Sequence, residues 1–226
     1  MGAIHVKNGN HKMKSKRMKK ILTAIAVAAL TLMGVGCTDY NLVDTGVANG
    51  DHQTTMWDYL KLDPYNWDST RVMIDHANLR AVFEGTSEYG KNITFFGPTN
   101  HSIRRYLLAK GLTRVSDIPA DECREMLLDC VLPQRTMLDD FVPGRPSADA
   151  DKVIGTGGKM YQMVSGKSLW VYNFRTSYNG VPEAGPVAIF IVSPLTTKTT
   201  QVASSNIKTL TGVVHSLDYN FTLKDF

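Results

Sequence analysis

The spacing of apolar residues changes twice along the chain. Residues 21–36 form an uncharged, mostly apolar segment, residues 55–132 place apolar side chains three and four positions apart, and residues 159–217 contain short β-branched and aromatic runs. Spacings of three and four put side chains on one face of a helix, whereas short bounded runs are typical of buried strands. The chain is therefore predicted to form helices first and strands afterwards.

Five helices are expected in the first part. Thr54 or Thr55 would cap the first helix and Asn100 the fourth, because their side chains accept hydrogen bonds from the free N–H groups of a first turn. Gly111 is the kind of residue that ends a helix. The predicted helices cover residues 56–62, 65–77, 79–83, 100–110 and 119–132, and one strand is predicted over residues 93–96.

The second part is expected to supply the rest of a sheet. Asn179 and Gly180 predict a tight turn between two of its strands, since both residues adopt positive φ readily. Helices followed by strands, without a repeat, indicate a single α+β domain. The predicted strands are residues 136–142, 159–164, 168–174, 187–192 and 213–217.

The amino-terminal 36 residues have the pattern of a secretory signal peptide. A basic region precedes the apolar segment 21–36, which is shorter than the roughly 20 residues of a membrane-spanning helix. The small residues Gly34-Val35-Gly36 lead directly to Cys37, and with Leu32 they resemble the lipobox of bacterial lipoproteins, although Gly34 stands where leucine is usual.

The lipobox resemblance implies that Cys37 is acylated and attaches the protein to a lipid bilayer. Several acyl chains at about 0.8 kcal/mol per buried methylene would hold it there nearly irreversibly. Thr38, rather than aspartate, follows the cysteine, which favours the bacterial outer membrane. Residues 37–54 lack periodicity and are expected to be a flexible tether to a domain spanning residues 55–226.

The charge distribution excludes nucleic acid as a partner. The net charge of +4 comes from seven cations within the first 20 residues, and residues 37–226 carry 18 cations against 21 anions. A slightly acidic body with dispersed charge lacks the basic patch that binds phosphate backbones.

Cys123 and Cys130 are expected to be buried free thiols. With Met126 and Leu127 they form a stripe at helical spacing, and seven residues of helix would separate them by about 10.5 Å, too far for a disulfide. No histidine lies at ligand spacing from them, so a metal site is not predicted.

Catalytic and cofactor motifs are not predicted either. Residues 155–159 resemble a phosphate loop, but Met160 stands where serine or threonine is required, so a glycine-rich turn is the better interpretation. His101 and Ser102 are neighbours on a helix and therefore point apart. The expected protein is not an enzyme and binds no cofactor.

Two segments resemble the signatures of the fasciclin (FAS1) family. Residues 92–100, Asn-Ile-Thr-Phe-Phe-Gly-Pro-Thr-Asn, are similar to the first signature, and residues 211–218, Thr-Gly-Val-Val-His-Ser-Leu-Asp, are similar to the second. The resemblance covers about residues 55–226. The motif residues expected to be structural are Pro98, Thr99, Asn100, Gly212, His215 and Asp218.

The resemblance implies a wedge-shaped β-sandwich with several helices packed around it, in a family that mediates adhesion at cell surfaces. The Tyr-His pair linked to integrin contact in animal members is Asp129-Cys130 here, so that function is not carried over. His215 is expected to be a hydrogen-bonded core residue rather than a ligand. Residues 173–210 are long and polar, and they are expected to hold an insertion and any recognition loop.

The predicted function is a surface-exposed adhesion or interaction module that binds an unknown surface protein or glycan. The alternative is a glycan-binding accessory lipoprotein of the outer membrane, suggested by four aromatic residues close together near the amino end. These residues are Trp57, Tyr59, Tyr65 and Trp67.

Overall fold

The computed structural model describes residues 50–226. Cys37 and the predicted leader lie outside these residues. The helices are α1 (Met56–Leu62), α2 (Pro64–His76), α3 (Arg80–Glu84), α4 (Asn100–Lys110) and α5 (Ala120–Leu128), with 3₁₀ turns at Val115–Asp117 and Leu138–Asp140. The strands are β1 (Ile93–Gly97), β2 (Val131–Leu132), β3 (Gly144–Arg145), β4 (Thr156–Gly157), β5 (Lys159–Gln162), β6 (Ser168–Arg175), β7 (Val187–Val192), β8 (Thr199–Thr209) and β9 (Gly212–Leu217). The α+β class is confirmed.

Helix α1 has the predicted bounds, and α2 begins and ends one residue earlier than predicted. The Thr55 hydroxyl caps α1 by accepting from the Asp58 N–H at 3.1 Å. The Asp63 carboxylate caps α2, whose first residue is Pro64. Proline lacks an N–H, and it is tolerated at this position because the first N–H groups of a helix have no partner within it. Gly111, with a φ of 67°, ends α4 in the left-handed conformation.

Seven strands form one mixed sheet in the order β2-β1-β9-β8-β7-β6-β5. The long strand β8 joins its two halves, because Thr199–Gln201 pair with β7 and Val202–Thr209 pair with β9. Register shifts between Val202 and Ile207 interrupt the β8–β9 ladder. Just beyond β5, the Val164 N–H donates to the Val131 carbonyl of β2 at 2.8 Å, so the two ends of the strand order meet.

Two predicted elements were wrong, and strands β3, β4 and β8 were not predicted. The helix predicted over residues 119–132 ends at Leu128, and Cys130 follows in a turn that leads into β2. Residues 136–142 form a 3₁₀ turn rather than a strand, because the Asp140 carboxylate accepts from the Met137 N–H and folds the chain back. Strand β8 was not predicted, and its polar composition explains this, since its burial alternates weakly.

The predicted insertion within residues 173–210 is mostly sheet. This segment contributes the end of β6, all of β7 and all of β8, which leaves two connections. The first contains the Asn179-Gly180 turn, with φ values of 49° and 78°, and Tyr178 pairs with Val181 across it. The turn prediction is therefore confirmed, and residues 177–184, at the tip of this hairpin, are exposed.

The amino-terminal boundary of the folded unit lies earlier than expected. Residues 50–54, assigned by sequence to the tether, lie against the end of β8. The Gly50 carbonyl accepts from the Lys208 N–H at 2.7 Å, His52 N–H donates to the Lys208 carbonyl, and the Thr54 carbonyl accepts from the Leu210 N–H. The part of the predicted tether that precedes Gly50 lies outside the described residues.

Candidate functional site

The two signature segments meet at the centre of the sheet. β1 and β9 are parallel neighbours, so Phe96 lies opposite His215 and Gly97 lies opposite Ser216. The Pro98–Asn100 turn and Asp218 therefore follow adjacent strand ends. The pairing of these two segments was not predicted, and their closeness raises the question of whether their residues form a site or hold the fold together.

Asn100 holds α2 rather than capping its own helix. Thr99 is the N-cap of α4 and makes no side-chain capping bond, while Asn100 is the first helical residue. The Asn100 carboxamide accepts from the Ser69 N–H at 2.7 Å and donates to the Tyr65 and Pro64 carbonyls at 2.7 and 2.9 Å. The capping prediction was wrong because α2 lies close enough to take all three bonds.

His215 is a buried hydrogen-bonded residue, as expected. Its ring lies beside Phe96 and Phe141. Nδ1 accepts from the Asn206 N–H at 3.2 Å, and with the proton on Nε2 the ring donates to the Thr136 carbonyl at 3.0 Å. Burial lowers the pKa of His215 to about 4, so the imidazole is neutral at physiological pH and both nitrogens are occupied.

The remaining motif residues also serve the fold. A side chain at Gly212 would collide with the Ile93 carbonyl on the neighbouring strand. The Pro98 carbonyl accepts from the Thr70 hydroxyl, and the Asp218 carboxylate accepts from the Asn220 N–H at 2.7 Å in the turn after β9. These contacts give the signature segments a structural role.

Asp129 and Cys130 occupy buried positions. The Asp129 carboxylate pairs with the Lys167 ammonium at 2.8 Å and is 3% exposed, and the Cys130 thiol is buried beside the Met126 carbonyl. Burial raises the pKa of Cys130, and it raises the pKa of Cys123 to about 11. Because the reactive form of cysteine is the thiolate, both thiols are poor nucleophiles here.

The aromatic group near the amino end is not a sugar platform. Trp57, Tyr59 and Trp67 are buried in the main core, and Tyr65 alone of the four is exposed. The guanidinium of Arg80 lies 4.6 Å from the Trp57 ring and covers it further. The sequence basis of the glycan-binding alternative is therefore contradicted.

A second, smaller core lies on β6 and β7 and is covered by residues 143–158, the cover segment. Trp170, Tyr172 and Val192 form this core, and the Trp170 indole N–H donates to the Gly157 carbonyl at 3.1 Å. A side chain at Gly158 would approach the indole nitrogen to 2.5 Å. The glycine-rich segment 155–159 thus packs on Trp170 and runs into a strand, unlike a phosphate loop, which precedes a helix.

An open groove of about 410 Å³ lies between the cover segment and the β6–β7 connection. We call it the arginine groove. Its charged lining residues are Arg145, Arg175 and Glu183, and its apolar ones are Pro143, Phe174 and Val187. The buried Asn173 amide positions one wall by donating to the Leu138 and Phe141 carbonyls at 3.0 and 2.9 Å.

The β6–β7 connection places Glu183 over the arginine groove. Thr176 and Pro186 close its base with a backbone hydrogen bond of 3.0 Å, and residues 182–184 bulge on one side of the hairpin. Glu183 has a φ of 56° and pairs with Arg145, whose guanidinium lies 5.6 Å from the Phe174 ring. Tyr178 and Val181 at the hairpin tip are 61% and 57% exposed.

Within residues 50–226, no group of three or more histidine, cysteine, aspartate or glutamate side chains is placed to hold a metal ion. None of the helices in that same range is sufficiently long and apolar to span a bilayer.

The arginine groove was not predicted from sequence. Arg145, Arg175 and Glu183 are scattered along a polar stretch and share no motif or spacing. The available signal was indirect, since the Asn179-Gly180 turn marks an exposed hairpin and fixes which residues flank it.

No family model matches the chain. No curated protein matches it. Among solved structures, the chain is similar to a FAS1 domain pair from the insect cell adhesion molecule fasciclin I, with a TM-score of 0.41 and 12% sequence identity over 75% of this chain. The match spans 46% of that solved chain.

Proposed function

We propose that this protein is a non-catalytic binding module that is attached to a bacterial membrane through acylated Cys37 and binds a surface protein through the arginine groove. The observation that carries the binding role is the groove itself. Its lining combines the cover segment, the end of β6 and Glu183 of the β6–β7 connection, and the charged side chains of Arg145, Arg175 and Glu183 are exposed to solvent.

The environment of the reactive groups supports a non-catalytic role. His215 has both ring nitrogens engaged by backbone groups, and the two described thiols are buried with raised pKa values. A general base or nucleophile must be within reach of a substrate and in its reactive protonation state. All three residues are buried, His215 has no free ring nitrogen, and the two thiols are protonated at neutral pH, so none of them is placed to act on a substrate.

The anchor and the surface location rest on the sequence. The basic and apolar leader, the small residues and Cys37 form a lipobox-like pattern. The FAS1-like signatures support a role in adhesion, because that family acts at cell surfaces. We propose the outer membrane as the location, since Thr38 rather than aspartate follows Cys37.

Fractionation of cells tests the anchor. Cys37→Ser removes the acylated sulfur, so we expect the protein to move from the membrane pellet to the soluble exported fraction. A Cys123→Ala variant is the matched control and should remain with the membrane. An unchanged distribution of Cys37→Ser would contradict the anchor.

Binding of the purified, detergent-solubilised chain to intact cells tests the face that contains the arginine groove and the hairpin tip beside it. Replacing both Tyr178 and Val181 with serine removes the apolar tip of the hairpin without touching the core, so we expect cell binding to fall several-fold. Leu108→Ser is the control, because Leu108 is 69% exposed on α4, outside the groove. Equal binding by all three proteins, or substrate turnover by the wild type, would contradict the proposal.

A further inference from the structure

We propose that the arginine groove binds an acidic peptide segment of a protein partner, whose carboxylate takes the place of Glu183 on Arg145. This inference rests on the proposed function and adds to it the chemistry of the ligand. Glu183 then acts as an internal stand-in that keeps Arg145 oriented while the groove is empty.

The ion pair between Arg145 and Glu183 can be exchanged at little cost. The two side chains are 61% and 44% exposed, and an exposed ion pair contributes little because water screens it. Glu183 also has a φ of 56°, a left-handed conformation that is unfavourable for a residue with a side chain.

A second arginine makes the groove suited to a carboxylate. Arg175 donates from one terminal nitrogen to the Gly185 carbonyl at 3.0 Å, and a guanidinium has five N–H donors in a fixed planar arrangement. The groove lining contains two arginines and one glutamate. An incoming carboxylate therefore complements the excess positive charge and can form charge-assisted hydrogen bonds.

The apolar part of the groove favours a peptide over an acidic glycan. Phe174 and Val187 lie inside it, and Tyr178 and Val181 are exposed at the tip of the adjoining hairpin. Sugar rings bind by stacking on a free aromatic face, and the Phe174 ring already has the Arg145 guanidinium beside it. Apolar peptide side chains next to an acidic one match this surface better.

Selection from a random displayed 12-residue peptide library on the full-length chain in detergent tests the inference. We expect enrichment of peptides with aspartate or glutamate beside apolar residues. Arg145→Gln and Arg175→Gln should each lower the affinity for a selected peptide by about tenfold or more, which is the usual effect of losing a hydrogen bond to a charged group. Glu183→Gln should raise the affinity for the same peptide by up to about fivefold, because the substitution removes the weak ion pair that competes for Arg145.

Lys152→Gln is the matched control, since Lys152 is a 72% exposed cation outside the groove lining, and it should bind the peptide as the wild type does. The inference would be overturned if no peptide is enriched, if the enriched peptides lack acidic residues, or if a selected peptide binds both arginine variants as tightly as it binds the wild type. Binding of oligogalacturonate in place of any peptide would overturn it in favour of a glycan. If the arginine variants bind cells normally while the Tyr178/Val181 variant does not, the ligand chemistry is wrong and the binding function stands.

Discussion

The side chain of Asn100 bonds the backbone of Ser69: its carboxamide oxygen accepts the Ser69 N–H at 2.7 Å, so the first residue of α4 holds the middle of α2. Asn100→Ala removes three hydrogen bonds at about 1 kcal/mol each, and we expect the free energy of unfolding to fall by about 2–3 kcal/mol. Urea titration measures this loss.

Thr99→Ala is the control for Asn100. Thr99 is the N-cap but makes no side-chain capping bond, so its substitution should cost less than about 1 kcal/mol, below a usual capping loss. The opposite order of the two losses would show that capping, rather than the link to α2, gives this segment its stability.

Stability should fall as the pH is lowered from 6.5 towards 4 because of His215. Its pKa is lowered from 6.5 to about 4 in the folded protein, so within this window the unfolded chain binds a proton that the folded protein does not. By linkage, the free energy of unfolding falls by about 3 kcal/mol at pH 4 because of this residue, and the effect is absent above pH 7.

His215→Gln separates this effect from carboxylate titration. The variant lacks the titrating ring, and its acidic residues are those of the wild type. Chemical unfolding at several pH values should therefore show a steeper loss for the wild type than for the variant between pH 6.5 and 4. Parallel curves would mean that His215 titrates normally and is not held neutral by burial.

The two described thiols should not react with Ellman's reagent in the folded protein. In a Cys37→Ser background, Cys123 and Cys130 are buried and their pKa values are raised, so we expect no fast thiol titration at pH 8 and two thiols in 8 M urea. Leu195→Cys, at a 77% exposed position, is the positive control and should add one rapidly reacting thiol. Rapid native reaction of the parent would refute the buried placement.

The cover segment should separate from β6 when Gly158 gains a side chain. Gly158 has a φ of 61°, and a Cβ there would lie 2.5 Å from the Trp170 indole nitrogen. Overpacking and a strained backbone together predict a loss of about 2–4 kcal/mol in unfolding free energy for Gly158→Ala, with red-shifted tryptophan emission.

Gly166→Ala is the matched control for Gly158→Ala. Gly166 also has a positive φ, of 90°, but open space surrounds the position where its Cβ would be. The free energy of unfolding of Gly166→Ala should fall by only about 1 kcal/mol, and its tryptophan emission should match that of the wild type. Similar losses and spectra for both variants would mean that Gly158 matters only for its backbone conformation.

The fold was more predictable than the site because local signals define elements and tertiary contacts define sites. Strand β7 and helix α1 have the predicted bounds. A continuous apolar run marks the strand, and a hydroxyl cap directly before the first turn marks the helix. Strand β8 was missed because its polar residues pair through backbone groups that no side-chain pattern reveals. Asn100 was assigned to its own helix because its partners, Ser69 and Tyr65, lie some 30 residues away.

The arginine groove illustrates the same limit. Arg145 and Glu183 are separated by 37 residues, and they pair because the Asn179-Gly180 turn returns the chain and the Asn173 amide fixes the start of the cover segment. The composition of the chain shows only that these charges are dispersed along the sequence, and it does not show which of them meet in the fold. The buried histidine was predictable, because an apolar strand surrounds it in the sequence.

Site-specific photo-crosslinking in intact cells tests most directly whether the protein acts by binding through its exposed groove. A benzophenone side chain at position 178 lies at the hairpin tip beside the groove, and the same group at position 108 lies on α4 with similar exposure. We predict a discrete adduct of higher mass on the membrane fraction from position 178 and none from position 108. Adducts from position 108 alone, or from neither position while the protein remains folded on the membrane, would contradict the account.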